Sequence, residues 1–170
     1  MQRDNCFGRS AKVLIDTRMK KGFKGNLHAH STVSDGELPP KDVADLYREH
    51  GYSFLAFSEH QCYTYHENFE SADFIILPAV EINGSFGQPK RFFHANGILG
   101  PTSLREDSGL PYGHLEHLDV PNLSDYRLGA QRAIDDLTGS GHLVMFNHPG
   151  WSFNSFCDLL ILDGYFAVEI

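Results

Sequence analysis

Five short apolar runs in this chain each close on a histidine or a glutamate, and no other feature constrains the fold as tightly. The runs are 25–30, closing on His28 and His30; 53–60, closing on Glu59 and His60; 74–81, closing on Glu81; 91–94, closing on His94; and 142–148, closing on His148. Short apolar runs followed by polar residues and helix-like stretches read as buried strands of βα units. In parallel sheets, open or closed, chemistry gathers at the carboxyl ends of the strands. Five such ends therefore describe one site assembled from across the sequence. Imidazoles and a carboxylate without a matching cluster of lysines or arginines call for a metal, and the pattern predicts a multinuclear metallohydrolase.

Bulk properties narrow the alternatives. The chain has 170 residues, 41% of them hydrophobic and 21% charged, which suits one soluble domain with its own core. A formal net charge of -8 argues against a general nucleic-acid binder, because phosphate contacts need a basic face. A small phosphorylated substrate held by bound cations remains compatible. Ten histidines are the one compositional oddity. Cys6, Cys62 and Cys157 are odd in number and widely spaced, so they form no disulfide framework and fit a reducing compartment. The first residues lack an apolar leader and no run is long enough to span a membrane, so a cytoplasmic location is expected.

Residues 1–24 read as a polar lead-in with one short strand at Val13-Leu14-Ile15, and residues 25–170 as the main domain. A period of two along the first run puts His28 and His30 on one face and Leu27 and Ala29 on the other. Pro39-Pro40 opens a helix to about His50, with Val43, Leu46 and Tyr47 at helical spacing and Gly51 as its stop. The stretch Asn83–Gly87 reads as a turn before the run that carries His94. Residues 101–123 have no period and predict a loop inserted over the strand ends. A second helix is expected from Tyr126 to Leu137, burying Leu128, Ala130, Ala133, Ile134 and Leu137. The run from Tyr165 to Ile170 reads as a further buried strand.

A His-x-His on a strand presents two imidazoles side by side, close enough to share one ion. The ordered set His28-Ala29-His30-Ser31, Ser34-Asp35-Gly36, Ser58-Glu59-His60, Val80-Glu81-Ile82, His94 and Asn147-His148-Pro149 resembles the polymerase and histidinol phosphatase (PHP) superfamily. Residues 25–60 look especially like its branch of carbaryl-hydrolase-type metallohydrolases. The resemblance runs over about residues 24–170. It implies an α/β fold, a distorted (βα)7 barrel, with two or three divalent ions (zinc, manganese or iron) at its C-terminal face. By the same resemblance His28 and His30 would bind a first ion, and Glu81 would bridge it to a second completed by His94 and His148. Asp35 and His60 would hold a third.

Two departures from the family pattern stand out. Its second motif usually reads Thr-Asp-His, where this chain has Ser58-Glu59-His60. Family members also carry a late Asp-x-His beyond the strand represented by Tyr165–Ile170, which predicts a barrel incomplete at its C-terminus and a chain lacking those two ligands. The function implied is hydrolysis of phosphoesters in a small-molecule substrate. Carbamate or carboxylic ester hydrolysis on the same fold, or a non-catalytic metal-binding module, are the alternatives. Arg91 and Arg105 are the nearest candidates for holding a phosphate.

The remaining polar residues have plainer readings. His50 sits at a helix C-terminus, and His66, His114, His117 and His142 are expected to face solvent. Glu169 ends the last run at a recurrent family position but is left out of the ligand set. Asn96 and Asn147 are candidate donors behind the ligands. Trp151 and Phe153 are read as packing, and Cys62 as a buried filler.

Overall fold

The computed structural model describes residues 22–87, 91–100 and 125–170. The lead-in strand at 13–15, the insertion at 101–123, Cys6, Arg105, His114 and His117 lie outside these residues. Six strands form one mixed sheet in the order β1 (Gly25–Ala29), β2 (Phe54–Phe57), β3 (Ile75–Phe86), β4 (Arg91–Ile98), β5 (Leu143–Phe146) and β6 (Tyr165–Val168). Five strands are mutually parallel, while β4 runs antiparallel to both neighbours. Helices are few: α1 (Pro40–Glu49), α2 (Tyr126–Gly139) and the short α3 (Phe156–Leu160). The result is an α/β half-barrel. Its curvature brings β4 within reach of β1, where the Asn96 side-chain amide donates to the Leu27 carbonyl at 2.9 Å. Among the described residues no helix is long and apolar enough to cross a membrane.

Local sequence explains the helices. Pro40 supplies the helical φ at the start of α1, Asp42 lies in its first turn and Arg48 in its last. Gly51, at φ +75°, ends it in the left-handed conformation that glycine tolerates. Val43 and Ala44 face the core, while Leu46, expected there, is largely exposed. Asp125 caps α2 by accepting from the Arg127 N–H at 2.8 Å. Its buried stripe holds Tyr126, Ala130, Ala133, Ile134 and Leu137. Leu128 was expected in that stripe but is exposed, since it sits two residues, or about 200°, round the helix from Ala130 and Tyr126.

The two faces of the sheet have different jobs. Val80, Ile82, Phe93, Ala95, Val144 and Phe146 pack beneath α2, and Leu55, Phe57 and Ile76 pack with Val43 and Ala44 of α1. The opposite face carries small or slender residues, Ala56, Ala79, Ile98 and Met145. Strand alternation then puts Glu81, His94 and Asn96 on that second face, because Val80, Ile82, Phe93 and Ala95 beside them belong to the helix-covered one.

Two local expectations are corrected. Asn83–Phe86 is strand, not turn: its residues pair with Arg91–His94, with Asn83 opposite His94 and Gly84 opposite Phe93. Tertiary pairing overrides the turn propensity of Asn, Gly and Ser singly. In β1, Leu27 and Ala29 do not share a face, since Leu27 packs with the slender cluster and Ala29 with the helix-covered one. The cause is an irregularity in register: the four residues Asn26–Ala29 of β1 lie against the three residues Leu55–Phe57 of β2. Asn26 fills the break, accepting from the His28 N–H at 3.1 Å and donating to the His28 carbonyl at 2.9 Å. The bulge re-aims His28 toward the same centre as His30.

Candidate metal centre

Glu81 sits at the middle of the site, fully buried. Its Oε2 lies 3.3 Å from His28 Nε2, 3.2 Å from His30 Nε2 and 3.1 Å from His60 Nδ1. Its Oε1 lies 3.1 Å from His94 Nδ1 and 3.3 Å from His148 Nε2, and accepts from the Asn147 amide at 2.8 Å. Asp35, mostly exposed, closes one side, 3.5 Å from His30 Nδ1 and 3.5 Å from His60 Nε2. All seven residues singled out in the sequence therefore meet at one place, although the chain separates His28 from His148 by most of the domain.

Each is delivered by a different device. The β1 bulge aims His28. The His60 backbone bridges to Glu81 just beyond β2, where Gln61 takes φ +55° and donates its N–H to the Glu81 carbonyl at 2.8 Å. His94 arrives from the early half of the antiparallel β4, not from the end of a parallel strand as the βα reading expects. The β3–β4 hairpin needs no crossover, so His94 reaches the same end of the sheet travelling the other way. His148 follows β5 at φ +23°, a strained backbone of the kind that collects at functional sites. Its turn is locked by the Ser152 N–H donating to the His148 carbonyl at 3.1 Å.

The donor atoms form four groups of three, each within 4.8 Å: His28, His30 and Glu81; His60, Glu81 and His94; His30, Asp35 and His60; and His28, His148 and Glu169. Such groups could hold metal ions. The first matches the grouping implied by the family resemblance. The third keeps Asp35 with His60, as the resemblance implies, and adds His30, whereas the other two place His60 with His94 and His148 with Glu169. The residues also fit a cation on internal grounds. Nε2 of His28 and Nε2 of His30 face each other at 3.0 Å, a contact that needs a proton or a cation between them. Glu81 Oε2 and His60 Nδ1 are buried yet make no well-aligned hydrogen bond.

Electrostatics follow from this crowding. Burial works against ionisation of Glu81, but the rings of His148, His28, His30 and His94 crowded around it outweigh that and hold the carboxyl far below the usual range. His28 is raised: burial opposes its charge, but Glu81 and Glu169 overcome it. His60 is lowered, chiefly by burial.

Several residues were missed or misread from sequence. Glu169 Oε2 lies 3.0 Å from His28 Nδ1 and accepts from the His148 N–H at 3.1 Å. Glu59 is fully buried and bonds to the Ser31–Ser34 loop. Trp151, read as packing, is 68% exposed and stands edge-on to His94 and His148, with ring centroids 5.6 and 5.2 Å away. Phe153 is likewise exposed. Arg91 does not face the site: it pairs with Asp158 at 2.6 Å and lies over the Tyr126 ring. His142, expected in solvent, is buried beside Gly97 and Gly100, its Nδ1 3.2 Å from the Leu137 carbonyl at the end of α2. His66 is half-buried between Phe57 and Phe69. Cys62 is half-buried, and burial pushes its thiol up. Asn96 and Asn147 do stand behind the cluster, linked at 2.8 Å. His50 closes α1, its ring nitrogen 2.8 Å from the Leu46 carbonyl.

No protein-family model matches the chain. Over 97 residues, 57% of its length, it is 30% identical to the DNA polymerase/3'-5' exonuclease PolX of Bacillus subtilis, and that stretch is 16% of the relative. An amidohydrolase from Chromobacterium violaceum, solved with sulfate and without metal, superposes with a TM-score of 0.57 at 20% identity, covering 86% of this chain and 76% of that one. A proposed metal-dependent phosphoesterase from Bifidobacterium adolescentis gives a TM-score of 0.53 at 15% identity over 86% of this chain and 77% of its own. The likeness to these two is one of fold.

Proposed function

We propose that this chain is a metal-dependent hydrolase of the polymerase and histidinol phosphatase type, with residues 25–170 as its metallohydrolase domain. One observation carries the reading: the two oxygens of Glu81 are divided between different imidazoles, His28, His30 and His60 on one side and His94 and His148 on the other. A carboxylate so placed can bridge cations. His28, His30, Asp35, His60, Glu81, His94 and His148 would hold two or three divalent ions, and their nitrogen and oxygen donors suit zinc, manganese or iron. Ions bound there would acidify a water and offset the negative charge that develops on the attacked group. The chain's own residues do the rest. Asn147 fixes the plane of the Glu81 carboxylate, Asn96 orders Asn147, and Glu169 holds the His28 ring by its outer nitrogen. Trp151 walls the side of the site next to His94 and His148.

The substrate in this reading is a small phosphoester, in line with the metal-dependent phosphoesterase role proposed for the Bifidobacterium neighbour. Carbamate or carboxylic ester hydrolysis, as in the carbaryl-hydrolase branch, is the second reading. It is favoured by the commitment of Arg91 to Asp158 and by the bare indole beside the histidines. In this reading the protein works in a reducing, cytoplasmic setting, in keeping with three widely spaced cysteines. Elemental analysis of the purified protein, beside hydrolysis of p-nitrophenyl phosphate and an aryl carbamate with added manganese or zinc, tests the proposal. Bound metal with phosphatase turnover is expected. Carbamate turnover alone selects the second reading, and absence of both metal and turnover overturns the proposal.

A further inference from the structure

The turn over 149–153, just beyond His148, carries the chain's single tryptophan and is pinned from both sides. The Ser152 N–H donates to the His148 carbonyl at 3.1 Å, and the Asn154 N–H donates to the Pro149 carbonyl at 2.8 Å. The Asn154 side-chain amide donates to the Phe92 carbonyl at 3.0 Å, and Asp158, in the first turn of α3, pairs with Arg91. Phe92 and Arg91 both lie on β4, the strand that carries His94. His148 and Phe153, at φ +23° and +57°, show the backbone strain that these bonds hold in place.

What this bracing presents is an open aromatic surface. Tryptophan is among the largest apolar side chains and on average is highly buried. Trp151 instead leaves most of its ring exposed, as do Phe153 and Phe156 close by in the chain. Among the described residues the ring contacts of the indole are those with His94 and His148, whose planes it meets at 80° and 78°. The indole is thus planar, uncharged, mounted on a braced turn and set against two residues of the proposed metal centre.

We propose that Trp151 is a specificity-determining residue, forming a subsite that takes a planar apolar group, such as an aromatic ring, joined to the bond that is hydrolysed. The inference rests on the hydrolase reading above for the reaction, and deepens it by naming the chemistry of the substrate's other half. Small-molecule sites combine apolar and aromatic walls with a few polar groups that fix orientation, and here the wall and the polar cluster stand side by side. An aromatic substituent packed on the indole gains about 2–10-fold in affinity beyond what its buried area gives. A charged substituent would lose hydration there without gaining a partner. The preference concerns the substituent and not the electrophile, so it holds for a phosphoester and a carbamate alike.

Benzyl and cyclohexylmethyl phosphate, with the matching pair of N-methylcarbamates, separate planarity from apolar bulk. Their leaving alcohols are similarly basic and differ mainly in shape. In the full chain with added manganese or zinc, kcat/KM is expected to favour benzyl over cyclohexylmethyl by about 2–10-fold. A ratio taken on one preparation cancels differences in metal content. Trp151→Phe should keep a preference, whereas Trp151→Leu, apolar but not planar, should abolish it. Both substitutions fall at an exposed position, so neither should disturb folding. No preference in the native chain, or a native preference kept in Trp151→Leu, overturns the subsite. A second readout needs neither metal nor turnover. The single indole N–H gives one NMR resonance, which benzamide should shift saturably in the metal-free chain, and cyclohexanecarboxamide less at equal concentration. No saturable shift with benzamide, or equal shifts with both, contradicts the proposal. A native chain that hydrolyses neither pair defeats the hydrolase reading, and the indole resonance then decides the subsite by itself.

Discussion

Among the described residues Glu59, Glu81 and Asp158 are buried carboxylates, and the contrast between the last two explains why Asp158 is read as structural and Glu81 as functional. Asp158 is complete as it stands. It accepts from the N–H and hydroxyl of Ser155 at 2.8 and 2.7 Å, caps α3, and meets the guanidinium of Arg91 at 2.6 Å. Among the described residues Glu81 has no lysine or arginine paired with it but five imidazole nitrogens within 3.3 Å. Desolvating an anion without fixed charge compensation is costly, so the protein is built either to protonate those rings or to take up cations among them. A neutral pair needs no visitor, whereas a ring of donors around a single anion does.

The sharpest way to break the contrast is to remove one oxygen's charge. Glu81→Gln should weaken metal binding by more than about 100-fold, beyond the loss typical for residues that merely orient ligands. His94→Gln should lose less, because it serves one oxygen of Glu81 only. Equal metal content in the two variants would argue against a bridging carboxylate.

The next effect belongs to the structural pair. Arg91→Ala should cost about 1–3 kcal/mol in urea unfolding, less than a fully buried pair because the guanidinium is partly exposed, and should leave metal content unchanged. Asp158 adds a pH signature. Burial works against its ionisation, but Ser155 and Arg91 outweigh that and hold its carboxyl below the usual range. Its contribution is therefore fully present above the ordinary carboxylate value of about 3.9 and is lost as pH falls through the depressed one. Asp158→Asn should be less stable at neutral pH and lose less on acidification; a parallel acid limb in both proteins would refute the assignment.

Gly36→Ala tests how tightly the centre's rim is held. The added methyl meets backbone rather than a flexible side chain, so a cost of about 1–3 kcal/mol is expected, with weaker metal binding at the His30–Asp35–His60 group. Smallest is Trp151→Ala. An exposed indole contributes within about 0.5 kcal/mol to stability, so thermal unfolding should barely move while KM for an aryl substrate rises.

Much of this was legible in the sequence because burial and chemistry coincide along strands. Apolar runs mark β1, β2, β3 and β5, and the polar residue closing each run marks the open end of the sheet. What escaped reading was set by partners rather than by period. The direction of β4 depends on Asn83–Phe86 pairing with Arg91–His94, which no local propensity announces. The β1 bulge depends on Asn26 bonding across it. Glu169 meets His28 from the far end of the domain, Glu59 bonds across to the Ser31–Ser34 loop, and His142 is buried by the glycines opposite it.

The central claim is that the Glu81 centre takes divalent cations, and equilibrium dialysis of the full chain against zinc or manganese tests it most directly. The native chain should retain two or more ions per molecule, and Glu81→Gln should lose most of them while Arg91→Ala keeps them. A native chain that retains none, or a Glu81→Gln chain that retains as many as the native one, would contradict it.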